Sequence, residues 1–474
     1  MIRKGIYTYY VYIRNMSELP DWVKKWKKKG IEIRNLRGRY YAYEMSSVYD
    51  TELKRAKKIT GKYLGVVTQN GIVKRSAASS SIYGDFEYGN IALLYGIAEK
   101  TITPILKRVF PYMYERILIY ALIRLINPLP MKSMRYQYEK TYLSRISGES
   151  MAPASISGML SSLPAESMIQ AMKEMTREGE YILMDSTAIF SRSVNIGISE
   201  IGHNSHEVHM PQINLMMLFS FSRKEPTFIR VIPGSIRDVS TMAATMDLAG
   251  VEKCVIIADK GFYSSENVKR LKTRHLSFII PLKRNSSLIP GEGEFSGVFD
   301  YDGKPVKYWN PVNSVYVFED PVLRMEEEKD FLERVRQGKR SRKHFTRVAQ
   351  DFGKLHLLSD LRENPERIYR LYKEREYVEY AFNVYKNDLE ADRSYLRDER
   401  MLSSYMFLNL LSLHIHFQIL NRISGKYSVR DVLLILSRIK IYSTTSGEIL
   451  SEIPKKANDL VSELKIDLDI LRKK

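Results

Sequence analysis

One cysteine in 474 residues, Cys254, has no second thiol to pair with, so a disulfide within the chain is excluded. That scarcity suits a reducing compartment and predicts a cytoplasmic protein. Cys254 itself lies in the apolar run KCVIIAD and reads as a small buried strand residue. A long unbroken apolar run is also missing. The most membrane-like stretch, MLSSYMFLNLLSLHIHFQIL (401–420), is interrupted by Asn409, His414, His416, Gln418 and several serines, which predicts a buried helix and not a span. The first residues, MIRKGIYTYYVYIRNM, interleave charges with aromatics and contain no signal-peptide core. A phosphate-binding GxxxxGK[ST] loop is absent too, since Gly61-Lys62 and Gly425-Lys426 are each followed by Tyr, so ATP or GTP use is not expected. The histidines of HNSHEVH (His203, His206, His209) do not form HExxH and have no Cys partner, so they read as a polar turn leading into a strand and not as a zinc site. There is no internal repeat.

Acids are the other shortage. Against 74 Lys and Arg stand 55 Asp and Glu, giving a net charge of +19 and a pI near 9.5. Such a surplus points to a polyanionic partner, with nucleic acid ahead of an anionic membrane surface. The 44% apolar content fits a globular chain, and its length calls for two to four domains or subdomains.

Residues 1–75 read as a small basic module. IYTYYVYI and RYYAYEM alternate like short strands, and KKWKKKG (24–30) fits either a solvated surface or a DNA-contacting edge. The Ser-rich SAASSSIYG (76–84) reads as a linker, and 88–180 as helical, with YMYERILIYALIRLI its clearest periodic segment. From 180 the rhythm changes to strands and helices. YILMD (181–185), NLMMLFSFS, TFIRVIP, VEKCVIIAD (251–259) and LSFIIPL read as strands, while DVSTMAATMDLAG and SSENVKRLKT read as helices, an α/β sheet pattern. The polar, irregular stretch 283–352 interrupts this scheme, GKLHLLSDL resumes it as a strand, and the remainder to Lys474 reads as mostly helical.

Within YKEREYVEYAFNVYK, Tyr372, Arg375, Glu379 and Lys386 fall at i, i+3, i+7 and i+14. On one continuous helix they lie at roughly 0°, 300°, 340° and 320°, a single polar stripe. Tyr377, Val378, Ala381, Phe382 and Val384 fill the opposite, apolar arc. Two strands, meanwhile, end in acids, Asp185 and Asp259, and functional groups in open α/β sheets collect at the carboxyl ends of strands. Taken singly, Asp185 reads as a turn former, Asp259 as the start of a turn and Arg375–Glu379 as a surface ion pair. Taken together, three convergent carboxylates require neutralising cations, and hard oxygen donors suit Mg²⁺ or Mn²⁺. Two such ions would serve phosphodiester displacement, with Arg375 and Lys386 holding phosphates beside them.

The spacing Tyr-(2)-Arg-(3)-Glu-(6)-Lys resembles the signature of DDE transposases from bacterial and archaeal insertion sequences, in the insertion-sequence type 4-like group. LMDSTAIF looks like that group's first catalytic strand, and ADKGFYSSENV like its second, where a basic residue, Gly and an aromatic follow the Asp. The resemblance spans roughly residues 180–421. It implies a ribonuclease-H-like α/β catalytic core whose triad Asp185, Asp259 and Glu379 binds two Mg²⁺ (or Mn²⁺) ions, with Tyr372, Arg375 and Lys386 contacting DNA. In that group a gap as long as the 120 residues from Asp259 to Glu379 holds a largely β insertion, which the resemblance implies here. The layout that follows is a basic module at 1–75 and a helical region for transposon-end binding at 76–179. Core segments at 180–282 and 353–421 flank an insertion at 283–352, and a helical C-terminal region occupies 422–474. The resemblance further implies a homodimer on terminal inverted repeats, metal-dependent end cleavage, and attack of the freed 3′-hydroxyl on target DNA, while the residues themselves point to neither a membrane nor ATP. Relatives in the group excise through a hairpin and hold a flipped base on an aromatic of the insertion. Trp309, in VKYWNP, is the tryptophan available there, for that role or for ordinary packing. Two other readings stay open: a metal-dependent nuclease that does not join ends, and a non-catalytic DNA-binding repressor.

Overall fold

The computed structural model describes residues 19–472, apart from 37, 52–53, 70, 74–81, 177–181, 192–195, 202–210, 236–238, 252–253, 258–262, 292, 392, 395 and 397. The strand expected at IYTYYVYI, most of the Ser-rich linker, the HNSHEVH histidines and Asp259 lie outside the described residues. The chain divides into two units, Met1–Ile82 with Thr444–Ser446, and Tyr83–Ser443 with Gly447–Lys474.

In the smaller unit a short helix α1 (Asp21–Lys24) precedes an antiparallel meander of β1 (Ile31–Leu36), β2 (Arg39–Asp50), β3 (Arg55–Thr68) and β4 (Gly71–Val73). RYYAYEM is the first half of β2, and its alternation is what pairing requires: Ala42, opposite Ile33, is buried, while Tyr41 and Tyr43 stack against Tyr63 at 6.3 and 5.4 Å. Among the described residues the buried core here is Val23, Ala42 and Val67, with Trp22 and Trp26 packed on it. Within KKWKKKG, Trp26 is thus an anchor and Lys27, Lys28 and Lys29 are exposed.

The larger unit begins at Tyr83, one residue into β5 (Ile82–Glu87), and continues with a run of helices. These are α2 (Gly89–Lys100), α3 (Thr103–Val109), α4 (Tyr114–Ile126), α5 (Met134–Lys140), α6 (Leu143–Ile146), α7 (Pro153–Ser162) and α8 (Ala165–Met175). A mixed α/β region follows: β6 (Ile182–Ser191), β7 (Glu200–Ile201), β8 (Pro211–Ser220), β9 (Glu225–Pro233), α9 (Val239–Ala249), β10 (Cys254–Ile257), α10 (Ser265–Thr273) and β11 (Ser277–Pro281). β8 runs antiparallel to both of its neighbours, β6 and β9, while β10 runs parallel to β6 and β11 parallel to β10. Nine of the ten residues of β8 are buried, which is why its sequence is almost uninterruptedly apolar. The strand expected over YILMD does not end on its acid. Instead β6 continues through STAIFS, because Thr187, Ile189 and their neighbours suit a pleated surface, and Asp185 sits mid-strand opposite Met217.

Residues 283–352 hold more regular structure than their polarity suggests: β12 (Gly297–Tyr301), β13 (Lys304–Val312), β14 (Val315–Glu319), α11 (Pro321–Arg336) and α12 (Phe345–Ala349). β12–β14 do not stand apart from the main sheet. β14 pairs with β15 (Lys354–Ser359) and β15 with β11, so the three strands extend that sheet at its edge.

Beyond β15 come α13 (Pro365–Lys373), α14 (Arg375–Asn383), a π-helical turn (Val384–Asp388), β16 (Arg393–Ser394) and α15 (Glu399–Leu420). α15 is the predicted buried helix. It packs against β9, α4 and α7, with His414 and His416 only 3% and 4% exposed. No single described helix is long and apolar enough to cross a membrane. The chain closes with α16 (Val429–Leu436), a hairpin of β17 (Lys440–Thr444) and β18 (Gly447–Leu450), and α17 (Lys455–Glu463). The hairpin departs from the helical expectation for 422–474. It turns where Gly447 adopts φ 119°, a conformation costly for any residue with a side chain.

Candidate active site

Side chains two apart on a strand share a face, so Asp185 and Thr187 of β6 project together. Across from them lie α14 and the π-turn. Arg375 Nε is 3.7 Å from Asp185 Oδ2, while its Nη2 is 3.2 Å from Glu379 Oε1, one turn further along α14. Lys386 Nζ donates to Thr187 Oγ1 at 2.7 Å. One guanidinium therefore touches a carboxylate from the sheet and another from the helix, and the next cation is tied to the same strand face. Asp185 and Arg375 are about four-fifths shielded (side chains 20% and 21% exposed) and Glu379 is 55% exposed, so the site opens to solvent on its helix side. Asp185 Oδ1 also accepts the Ser186 backbone N–H at 2.8 Å, which fixes the orientation of the carboxylate.

The stripe is not the single helix that its spacing suggested. α13 ends and α14 begins at Glu374, where Tyr377 N–H reaches only three residues back to the Glu374 carbonyl, at 3.0 Å. Nothing in YKEREYV announces this break, since neither Gly nor Pro is present. Tyr372 is left on α13, half-buried against the core, while Arg375 and Glu379 keep their expected relation on α14. Lys386 belongs to the π-turn, closed by Leu389 N–H to the Val384 carbonyl at 2.9 Å. The apolar arc behaves as expected, with Val378, Ala381, Phe382 and Val384 buried. Burial raises the Glu374 carboxyl above its ordinary range, against the opposing pull of Lys224 and Arg367. Lys224, in the β8–β9 turn, donates to the Tyr377 hydroxyl at 2.9 Å and so links that turn to α14.

Two supporting residues escaped the sequence reading. Thr187 was legible in principle as the position two beyond Asp185. Arg124, in the apolar helix α4, carried no signal, because its neighbours predict only packing. It is 3% exposed and donates to Leu129 O (2.8 Å), Asn409 Oδ1 (3.2 Å), the Tyr405 hydroxyl (2.8 Å) and Leu389 O. Leu389 closes the π-turn, so this buried cation pins the segment that carries Lys386 to α4 and α15.

Among the described residues no group of three or more His, Cys, Asp and Glu is arranged to hold a metal. Asp259, the third acid of the expected set, is not among them. The strand leading to it lies beside β6, with Ile256 opposite Met184, one residue before Asp185. As donors, Asp185 and Glu379 supply hard carboxylate oxygens that already converge on one positive group, which suits a hard dication. Trp309 lies on β13 opposite Val317, partly buried, with its indole N–H donated to Gly293 O at 2.9 Å. His414 is buried with Nδ1 3.1 Å from Pro226 O, and desolvation lowers His416 to about 4, so His416 acts as a neutral core residue.

A transposase DDE domain family model matches residues 175–415, just over half of the chain. The chain belongs to the DDE transposase family. No curated protein matches this transposase-family chain in sequence. Among solved structures, it is similar to the cryo-EM structure of the piggyBac transposase synaptic complex with hairpin DNA. That alignment covers 76% of this chain and 81% of the other, at 10% identity and a TM-score of 0.35, too distant to build on.

Proposed function

We propose that this chain is an insertion-sequence transposase that cuts the ends of its element and joins their 3′-hydroxyls to target DNA. The observation carrying this reading is the bridge made by Arg375 between Asp185 on β6 and Glu379 on α14, inside the segment matched by the family model. Asp185, Asp259 and Glu379 are the proposed catalytic carboxylates and metal ligands. Two Mg²⁺ or Mn²⁺ ions would supply Lewis-acid stabilisation of the attacking and leaving oxygens. Arg375 screens the carboxylates from one another and orients them, and Lys386 with Tyr372 steers the DNA strand along the face of β6. The strand order supports a ribonuclease-H-like core, because three antiparallel strands (β6, β8, β9) are followed by two parallel ones (β10, β11) beyond β6. Membership of the insertion-sequence type 4-like group rests on the Tyr372, Arg375, Glu379 and Lys386 spacing. A dimer bound to terminal inverted repeats, a cytoplasmic location on chromosomal DNA, a reaction without ATP and a stacking role for Trp309 complete the proposal.

The test is a joining assay. A duplex carrying the inverted repeat that flanks the coding region, with a free 3′-hydroxyl, is incubated with the protein, Mg²⁺ and plasmid. The expected product is the duplex covalently joined to plasmid. Cleavage without joining would make the protein a nuclease, and DNA binding without cleavage would make it a repressor.

A further inference from the structure

The stretch Lys339–Arg347, KRSRKHFTR, contains five Lys or Arg, one His and no acid. All five cations are exposed, and among the described residues none has a carboxylate within 4.0 Å. Acids on the neighbouring α11 do not serve them. Glu327 is engaged by Arg284 at 2.6 Å and by the Gly353 N–H at 2.9 Å, Asp330 by Arg334 at 2.9 Å and Glu333 by Arg336 at 3.6 Å. Glu326 and Asp351 remain on the inner wall of the cleft that Lys339, Arg340 and Arg347 line, whereas Arg342 and Lys343 do not line it.

Five like charges in nine residues repel one another, and a solvated surface would need no scaffold beneath them. This stretch has one. α11 ends in a left-handed Gly338 (φ 72°), with Gly338 N–H bonded to Val335 O at 3.0 Å and Lys339 N–H to Arg334 O at 2.9 Å, which turns the chain back sharply. The Ser341 hydroxyl caps the next turn by accepting the Lys343 N–H at 3.3 Å. Below it, Phe331, Phe345 and Phe352 form a closed aromatic triangle with ring centroids 5.6–6.1 Å apart, and Arg340 lies over Phe331 at 5.4 Å. The charge is held in place and left uncompensated.

We propose that Lys339–Arg347 is a DNA-backbone contact, a hook that grips phosphates without reading sequence. The inference rests on the transposase reading, which supplies DNA as the polyanion. Each phosphate neutralised releases counterions, so every contact adds about 0.9 to the slope of log affinity against log salt concentration.

The experiment measures that slope for the full chain on a 30-base-pair duplex of arbitrary sequence. The triple variant Arg342→Gln/Lys343→Gln/Arg347→Gln should be shallower than the wild type by roughly 2.7, and Arg342→Lys/Arg347→Lys should keep the wild-type slope. If the triple variant has a lowered urea midpoint, the three single variants replace it, each expected to lose about 0.9. An unchanged slope in a folded variant overturns the hook and leaves the transposase reading standing. Wild-type protein that shows no salt-dependent binding to any duplex, inverted-repeat ends included, overturns both.

Discussion

Around Arg375, opposite charges meet: one guanidinium serves Asp185 and Glu379, above a helix back on which Val378, Ala381 and Phe382 are buried. Along Lys339–Arg347, five cations stand on a small aromatic base and form no ion pair with a described carboxylate. The same residue types thus do two jobs. Matched charges fix one another's geometry, which chemistry needs. Unmatched charges keep their attraction in reserve for an outside polyanion, whose sequence they ignore. The first arrangement should govern the rate of bond breaking and the second the dependence of binding on salt.

That division predicts mutational effects of different size and kind. The largest expected effect is on chemistry. Asp185→Asn should reduce single-turnover cleavage by about 10³-fold while leaving the salt slope of DNA binding in place, because it removes a proposed metal ligand and no phosphate contact. A slope that collapsed with the cleavage rate would erase the distinction between the two regions. Next comes the buried support behind the site. Arg124→Met leaves the carbonyls of Leu129 and Leu389 without donors and should cost about 3 kcal/mol of stability, read as a lower urea midpoint. The hook has no such buried charge beneath it, so its Gln variants should unfold at the wild-type midpoint.

A third effect of similar size separates buried from exposed basic groups through pH. His416 titrates near 4 in the folded chain against an ordinary 6.5, so between those values the unfolded state binds more protons. Its contribution is complete above pH 6.5 and is lost as pH falls towards 4, by about 3 kcal/mol in all. Denaturant unfolding at pH 7 and pH 4 should show this loss in wild type, and His416→Phe should remove it. The smallest effect sharpens the site itself. Arg375→Lys keeps the charge but cannot span two carboxylates, and cleavage should fall about tenfold with binding little altered. Equal rates for the two proteins would mean that the bridge contributes charge and not shape.

Much of this architecture was legible in the sequence. The apolar run of β8, the strand–helix alternation from β9 to β11 and the all-round apolar pattern of α15 each follow from what those surfaces bury. Arg375 and Glu379 were readable because one helical turn separates them. The rest had no local cause to read. The break at Glu374 occurs among good helix formers, and the π-turn has no residue signature in VYKND. Asp185 looked like a strand terminus because acids usually end strands, and only its cross-strand partner Met217 shows otherwise. Arg124 was hidden by its own company, since an arginine in an apolar helix becomes meaningful only when distant carbonyls from Leu129 and Leu389 are seen to converge on it. The turn at Gly447 has a cue in TTSGE, but strands of five and four residues are too short to carry a clear alternation beside it.

The π-turn at Val384–Asp388 makes chain length itself a functional variable. It is an α-helix carrying one residue too many, and that surplus sets the phase of everything after it. Deleting Asn387 would remove that surplus and close the segment as ordinary helix, with one residue fewer to reach from Lys386 to Leu389. The Leu389 carbonyl would then leave Arg124, although no side chain at the site had been altered. Along this stretch a single-codon deletion should therefore be as damaging as a substitution at the acids, and a sequence lineage should tolerate changes of residue there far better than changes of count.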